Sequence, residues 1–115
     1  MSTTSDAPKR HFVVWAPDSE GALALRFQVR EQHLRAIAPL IQEGTVQVGG
    51  MTVTPESIDV QPADRKALGS LLIVKAKTLE DVKQLVESDI YYTSGVWDKT
   101  KLQILPFFAA TSFPN

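Results

Sequence analysis

Residues 68–76, LGSLLIVKA, carry the strongest folding signal in this 115-residue chain. They are apolar at both odd and even positions, which is typical of a strand that is buried on both faces. Residues 11–16, HFVVWA, show the same pattern and end before Pro17. The sequence therefore predicts two strands, the first and the third of the chain, at the centre of one sheet.

The segment between these two strands predicts a long helix followed by another strand. Its helical period begins near Ser19 and ends at Gly44. The positions in register are Leu23, Phe27, Arg30, Leu34, Ile37 and Ile41. Residues 45–54 alternate as a strand, but their apolar phase shifts by one residue at Gly49 and Gly50, which predicts a β-bulge there.

A second helix and a last strand complete the pattern. Thr78 and Asp81 form a capping signal, and the helix is expected to end near Ser88 and Asp89. Residues 101–108 predict an edge strand, because Pro106 cannot donate a ladder hydrogen bond. The order β-α-β-β-α-β predicts an α+β, ferredoxin-like sandwich.

The domain prediction is a disordered tail at residues 1–9, followed by a single domain at residues 10–115. Two helices can cover only one face of the sheet, yet the central strands are apolar on both faces. A second copy of the chain is expected to cover the other face, which predicts a homodimer. The alternative is that the C-terminal tail PFFAATSF folds across that face.

Composition excludes several classes of protein. Twelve Lys and Arg against thirteen Asp and Glu leave a net charge of -1, too little to favour nucleic-acid binding. The absence of Cys excludes disulfides, thiolate metal sites and a Cys nucleophile, and two His residues disfavour a metal centre. No segment approaches the roughly 20 apolar residues of a membrane span. A cytoplasmic protein with no metal and no cofactor is expected.

Three polar residues are candidates for chemistry. Arg30 shares the register of the apolar stripe, His33 lies on the same flank of that helix, and Asp89 follows the second helix. If the two helices pack side by side, an Asp–His contact would fix the imidazole tautomer for a general base. The alternative, favoured by the residues alone, is that Arg30 extends to solvent, His33 is a hydrogen-bonded core residue and Asp89 is a cap.

An ordered set of short motifs adds to this pattern. Its members are Arg30, His33, Glu43, Gly44, Gly49, Gly50, Gly69, Ser70, Asp89, Ile90, Tyr91, Ser94, Gly95, Val96 and Trp97. Over residues 11–108 the set resembles the YCII (YciI-like) family, and residues 94–98 resemble its fungal branch. The resemblance implies a dimeric α/β-barrel fold, a His33–Asp89 active site with Ser70 beside it, and lyase chemistry on small cyclic substrates.

Two functional hypotheses follow. The first is a cofactor-independent lyase, dehydratase or isomerase with a role in fungal secondary metabolism, in which Arg30 or Ser70 stabilises an oxyanion. In that hypothesis Tyr92 and Trp97, with Tyr91, wall the substrate pocket, although aromatic residues after a helix are more often core. The second is a non-catalytic dimeric module that binds a small ligand or a partner protein.

Overall fold

The computed structural model describes residues 8–113. The predicted disordered tail therefore lies outside the described residues, except for Pro8 and Lys9, which are exposed. The elements are β1 (Arg10–Pro17), α1 (Leu23–Gln42), β2 (Val46–Val53), β3 (Ala67–Ala76), α2 (Leu79–Glu87), α3 (Ile90–Thr93) and β4 (Gln103–Phe107). Within residues 8–113, no helix is long and apolar enough to cross a bilayer.

The four strands form one antiparallel sheet in the order β2-β3-β1-β4. The central position of β1 and β3 and the edge position of β4 confirm the ferredoxin-like prediction. Val14 in β1 lies opposite Leu72 in β3 and opposite Ile104 in β4. The fold is α+β, with the short helix α3 as an unpredicted addition between α2 and β4.

The core lies between the helices and one face of the sheet. Val14, Val74 and Val82 are fully buried there. Helix α2 begins as predicted, because the side chain of Thr78 accepts a hydrogen bond of 3.0 Å from the backbone N–H of Asp81. This cap satisfies one of the free donors of the first helical turn.

The predicted buried face of α1 is confirmed at Ile37 and is otherwise wrong by a rotation about the helix axis. Of the predicted stripe, Phe27, Leu34 and Ile41 are 48%, 42% and 53% exposed, and Arg30 is also exposed. The buried residues of the helix are Arg26, His33 and Ile37. The apolar periodicity gave the wrong face because two of the three buried residues of the helix are polar.

The predicted bulge at Gly49 and Gly50 is also wrong. Both glycines pair regularly, with Leu72 and Leu71, and the register shifts occur on either side, between Val46 and Val48 and between Thr52 and Val53. The extra residue near Val46 accounts for the phase shift that the sequence places at the glycines.

The second face of the sheet is apolar and largely uncovered by the described chain. Trp15 and Leu105 on this face are 43% and 51% exposed. The C-terminal tail reaches only one end of it, where Phe113 stacks on His11 with ring centroids 4.1 Å apart. The alternative in which the tail folds across the whole face is therefore not the observed arrangement.

Candidate active site

His33 and Asp89 meet beside the core. Nδ1 of His33 lies 2.9 Å from Oδ1 of Asp89, and both side chains are about nine-tenths buried. The sequence predicted Asp89 at the end of the second helix, but α2 ends at Glu87 and Asp89 lies beyond it. It is the N-cap of α3, where its Oδ1 also accepts the backbone N–H of Tyr91 at 2.8 Å. The unpredicted helix α3 thus fixes the carboxylate that contacts the imidazole.

The imidazole of His33 is held in one orientation. Because a carboxylate accepts hydrogen bonds, Nδ1 donates to Asp89, which leaves Nε2 as the ring nitrogen available to a ligand. The Tyr91 ring stacks on the imidazole with centroids 4.0 Å apart and an interplanar angle of 9°. Trp97 meets the imidazole edge-on, with centroids 6.4 Å apart.

A second polar network is centred on Arg26, which sequence reasoning missed. Its Nη1 donates to Oδ1 of Asp18 at 2.7 Å, and its Nη2 donates to Oγ of Ser70 at 2.8 Å. The indole Nε1 of Trp97 donates to the same Ser70 oxygen at 3.1 Å. A serine oxygen accepts two hydrogen bonds and donates one, so the Ser70 proton remains available for a ligand.

The position of Arg26 follows from the helix period. It lies two turns before His33, on the same face of α1, and its guanidinium lies over the Tyr91 ring at 4.7 Å. Burial raises the pKa of its partner Asp18, and the charge and hydrogen bond of Arg26 oppose that rise. Oδ2 of Asp18 is buried and has no hydrogen-bond partner within the described residues. The spacing of two helical turns between Arg26 and His33 is the sequence signal that could have identified Arg26.

A cavity of about 190 Å³ connects these groups. His33, Ser70 and Arg30 line it, as do Arg26 and Tyr91. Its other lining residues are Leu34, Ile37, Ile41, Gly49, Gly50, Met51 and Leu72. The cavity therefore combines an imidazole, a hydroxyl and guanidinium groups with an apolar wall.

Two of the predicted ligand-binding residues lie elsewhere. Tyr92 is not among the residues that line this cavity and lies by another groove, where Nζ of Lys99 is over its ring at 4.6 Å. Trp97 is 1% exposed and donates its indole N–H to Ser70. The aromatic residue that lines the cavity is Tyr91. Tyr92 and Trp97 are therefore not placed to line the cavity. Tyr92 lies elsewhere because the turn of α3 directs the two tyrosines to different sides.

The polar groups around the cavity are side chains that can donate or accept protons. Over residues 8–113 there is no group of three or more His, Cys, Asp or Glu side chains arranged to hold a metal ion. The groups present are an imidazole held by a carboxylate, a hydroxyl with a free proton, and cations. Groups of these kinds can take part in proton transfer and can stabilise a developing negative charge.

Comparison with known proteins identifies the family. The model of the YCII-related domain matches residues 11–107. The chain belongs to the YCII family. This confirms the resemblance predicted from the ordered motifs.

Two YCII relatives illustrate its range. The chain is 34% identical over 98 residues to Fusaric acid biosynthesis protein 2 of Gibberella fujikuroi, covering 85% of this chain and 92% of that protein. It is 27% identical over 92 residues to protein YciI of Escherichia coli, covering 80% and 92%. Fungal and bacterial proteins therefore share this domain.

A solved structure shares the fold. It is 5-chloro-2-hydroxyhydroquinone dehydrochlorinase (TftG) from Burkholderia phenoliruptrix AC1100 in complex with 2,5-dihydroxybenzoquinone. The TM-score is 0.73 at 24% identity, covering 85% of this chain and 93% of that one. The likeness confirms a ferredoxin-like fold of the dimeric α/β-barrel type.

Proposed function

We propose that this protein is a cofactor-independent lyase, dehydratase or isomerase that acts on a small cyclic or aromatic metabolite. His33 and Asp89 would be its general acid-base pair. The observation that carries the proposal is the 2.9 Å contact between Nδ1 of His33 and Oδ1 of Asp89, at the wall of a cavity that His33 itself lines.

The proposed chemistry is proton abstraction followed by departure of a group or return of the proton. Nε2 of His33 takes a proton from carbon or oxygen of the substrate, and Asp89 stabilises the imidazolium that forms. In an elimination, the electron pair of the broken C–H bond forms the new double bond. The leaving group departs with the electron pair of its bond to carbon. In an isomerisation, the imidazolium returns the proton to another atom.

Ser70 supports this chemistry by donating a hydrogen bond from its hydroxyl group. Its oxygen accepts hydrogen bonds from Arg26 at 2.8 Å and Trp97 at 3.1 Å, which orient the hydroxyl. A donor of fixed direction stabilises negative charge as it develops on a substrate oxygen. We therefore assign Ser70 to oxyanion stabilisation, with Arg26 as the residue that positions it.

The size of the cavity favours a substrate with one ring. Its volume of about 190 Å³ is small compared with the ~300–1,000 Å³ of sites for drug-sized ligands. It is similar to the ~150 Å³ apolar cavity that accepts benzene in another protein. The names of two similar proteins also refer to small molecules, a chlorinated hydroxyhydroquinone and fusaric acid. A role in fungal secondary metabolism fits the second of these names.

We also propose that two copies associate through the open face of the sheet. Trp15 and Leu105 lie exposed on that face, and Val13 and Ile73 lie half-buried on it. Burial of such a surface against its own copy removes apolar area from water. The cytoplasmic location expected from the sequence stays a prediction.

The alternative is a non-catalytic dimeric module that binds a small ligand or a partner protein. The observation in its favour is that His33 is only 8% exposed and is stacked on Tyr91, as a structural core residue could be. In that case a ligand would bind but would not be converted.

A ligand screen with a turnover assay separates these functions. Small phenols, quinones and hydroxy acids are screened by thermal shift, because a ligand of the native state raises the melting temperature by mass action. The absorbance spectrum of each compound that binds is then followed over time in the presence of a catalytic amount of the protein. An enzyme converts many equivalents and loses that activity in His33→Ala but not in His11→Ala, the only other histidine position. Binding without conversion in the wild type would support the module.

A further inference from the structure

A second groove, with a volume of about 240 Å³, adjoins the His33 cavity. Arg26, Arg30 and Met51 line both spaces, so these three side chains lie at the boundary between them. The groove is otherwise lined by Phe27, Pro62, Ala63, Arg65 and Ala67. Its wall is thus apolar apart from three arginines.

The three arginines differ in how their charge is compensated. Arg26 is buried and pairs with Asp18 at 2.7 Å, so its charge is largely neutralised inside the fold. Arg30 and Arg65 form no ion pair within residues 8–113. Arg30 is exposed and Arg65 is partly exposed. Two uncompensated cations therefore line a groove in which no carboxylate is among the lining residues.

The charge of Arg30 acts toward the cavity as well as toward solvent. Burial raises the pKa of Tyr91, which lines the cavity, and the charges of Arg26 and Arg30 lower it. Arg30 therefore lies close enough to influence groups beside His33. An anion between Arg30 and Arg65 would lie at the edge of the proposed catalytic space.

We infer that this groove is a subsite for a carboxylate on the substrate, held by Arg30 and Arg65 while the ring lies beside His33. The inference rests on the proposed function, which it deepens by naming the substrate class as small ring acids. A guanidinium presents paired N–H donors that match the two oxygens of a carboxylate. Phe27 and Met51 supply the apolar contact for the ring edge.

The test compares an acid with its uncharged amide. Dissociation constants of 4-hydroxybenzoate and 4-hydroxybenzamide are measured by titration calorimetry for the wild type, Arg30→Gln, Arg65→Gln and Arg35→Gln. Arg35 is an exposed α1 residue that lines neither space, so its variant makes the same change of net charge outside the site. We expect the wild type and Arg35→Gln to prefer the acid by about tenfold or more, and each site variant to lose most of that preference.

Several results would overturn the subsite. These are equal affinity for acid and amide in the wild type, a preference that survives in both Arg30→Gln and Arg65→Gln, or a preference equally lost in Arg35→Gln. Phenyl phosphate, titrated in parallel, distinguishes the anion, because tighter binding of phosphate than of carboxylate would overturn the carboxylate assignment. Arg65→Lys keeps the charge and is expected to retain part of the preference, which provides a second variant if Arg65→Gln does not fold.

Failure of the subsite is distinguishable from failure of the proposed function. The acid preference is a binding property, so it should persist in His33→Ala, which removes the base but neither arginine. Turnover of uncharged rings without any acid preference would overturn the subsite alone. Acid preference without turnover of any ligand would support the subsite and contradict the proposed enzymatic function.

Discussion

His33 and Asp89 are 56 positions apart in the sequence, yet Nδ1 of one lies 2.9 Å from Oδ1 of the other. The same carboxylate oxygen accepts the backbone N–H of Tyr91 at 2.8 Å. One side chain thus caps the first turn of α3 and orients the imidazole. The cap fixes the carboxylate before any ligand binds, so the pair is preorganised.

The two roles of Asp89 can be separated by substitution. Asparagine is as good an N-cap as aspartate, so Asp89→Asn should keep the cap while losing the charge that stabilises an imidazolium. Asp89→Ala should lose both and reduce the free energy of unfolding by about 1 kcal/mol. Urea unfolding measures the difference. Equal destabilisation of the two variants would mean that charge, rather than capping, holds Asp89 in place.

Removal of one partner of the buried Arg26–Asp18 pair should destabilise the fold strongly. Both side chains are 6% exposed, so Arg26→Met leaves the Asp18 carboxylate buried without its cation. Breaking such a pair costs about 3–5 kcal/mol. Addition of Asp18→Asn should recover part of that loss, a coupling that a double-mutant cycle measures by urea unfolding. Arg35→Met, at an exposed position of the same helix, is the control and should change stability by less than about 0.5 kcal/mol.

Tyr91 should ionise at unusually high pH. Burial is the largest cause and raises the pKa of its phenol above 10.0, and the charge of Arg30 lowers that pKa. The chain has two tyrosines, so Tyr92→Phe isolates this phenol for an absorbance titration. We expect ionisation above pH 10.0, and at still higher pH when Arg30→Gln is added.

The raised pKa of Tyr91 predicts how the free energy of unfolding changes at alkaline pH. Between the unfolded pKa and the raised native pKa of Tyr91, the unfolded chain has lost a proton that the native protein retains. The free energy of unfolding should therefore fall as pH rises through this range, and Tyr91→Phe should make it fall less steeply. A normal titration of the phenol, or an unchanged slope in Tyr91→Phe, would contradict the packing described around His33.

The open face of the sheet should form the dimer interface. Val13 points to this face, because its neighbour Val14 is fully buried on the other. Val13→Glu would bury an unpaired charge at the interface, so light scattering should find a monomer or aggregate in place of a dimer. Ile58→Glu, at a 72% exposed loop position, should leave the dimer intact. A monomeric wild type at micromolar concentration would refute the interface.

The sequence was sufficient for the sheet and insufficient for the face of α1. Residues 11–16 and 68–76 are apolar on both parities, and the sheet does bury one side while leaving the other apolar. In α1 the apolar period predicted Phe27 and Leu34 as core, but Arg26 and His33 occupy the buried face. A buried polar network satisfies its hydrogen bonds through distant partners, which hydrophobic periodicity does not detect.

The site was predictable only where motifs indicated it. The predicted residues His33 and Asp89 are in contact, and Ser70 lines the same cavity as His33. Arg26 was not predicted, because its partners Asp18 and Ser70 lie 8 and 44 positions away in the chain. Arg65 belongs to a loop without periodicity, so only the groove identifies it. The helix α3 has four residues, too short for a periodic pattern, so the sequence did not predict that Asp89 caps a helix that begins after it.

The central claim is that His33 is a general base, and the most direct measurement of it is kcat/KM of His33→Ala on a substrate found in the ligand screen. We expect a loss of roughly a hundred- to ten-thousand-fold, partly restored by added imidazole, with a melting temperature close to that of the wild type. His11→Ala serves as the matched control and should keep full activity. Full activity in a folded His33→Ala protein, or a loss that imidazole does not restore and that follows a large fall in melting temperature, would contradict the account.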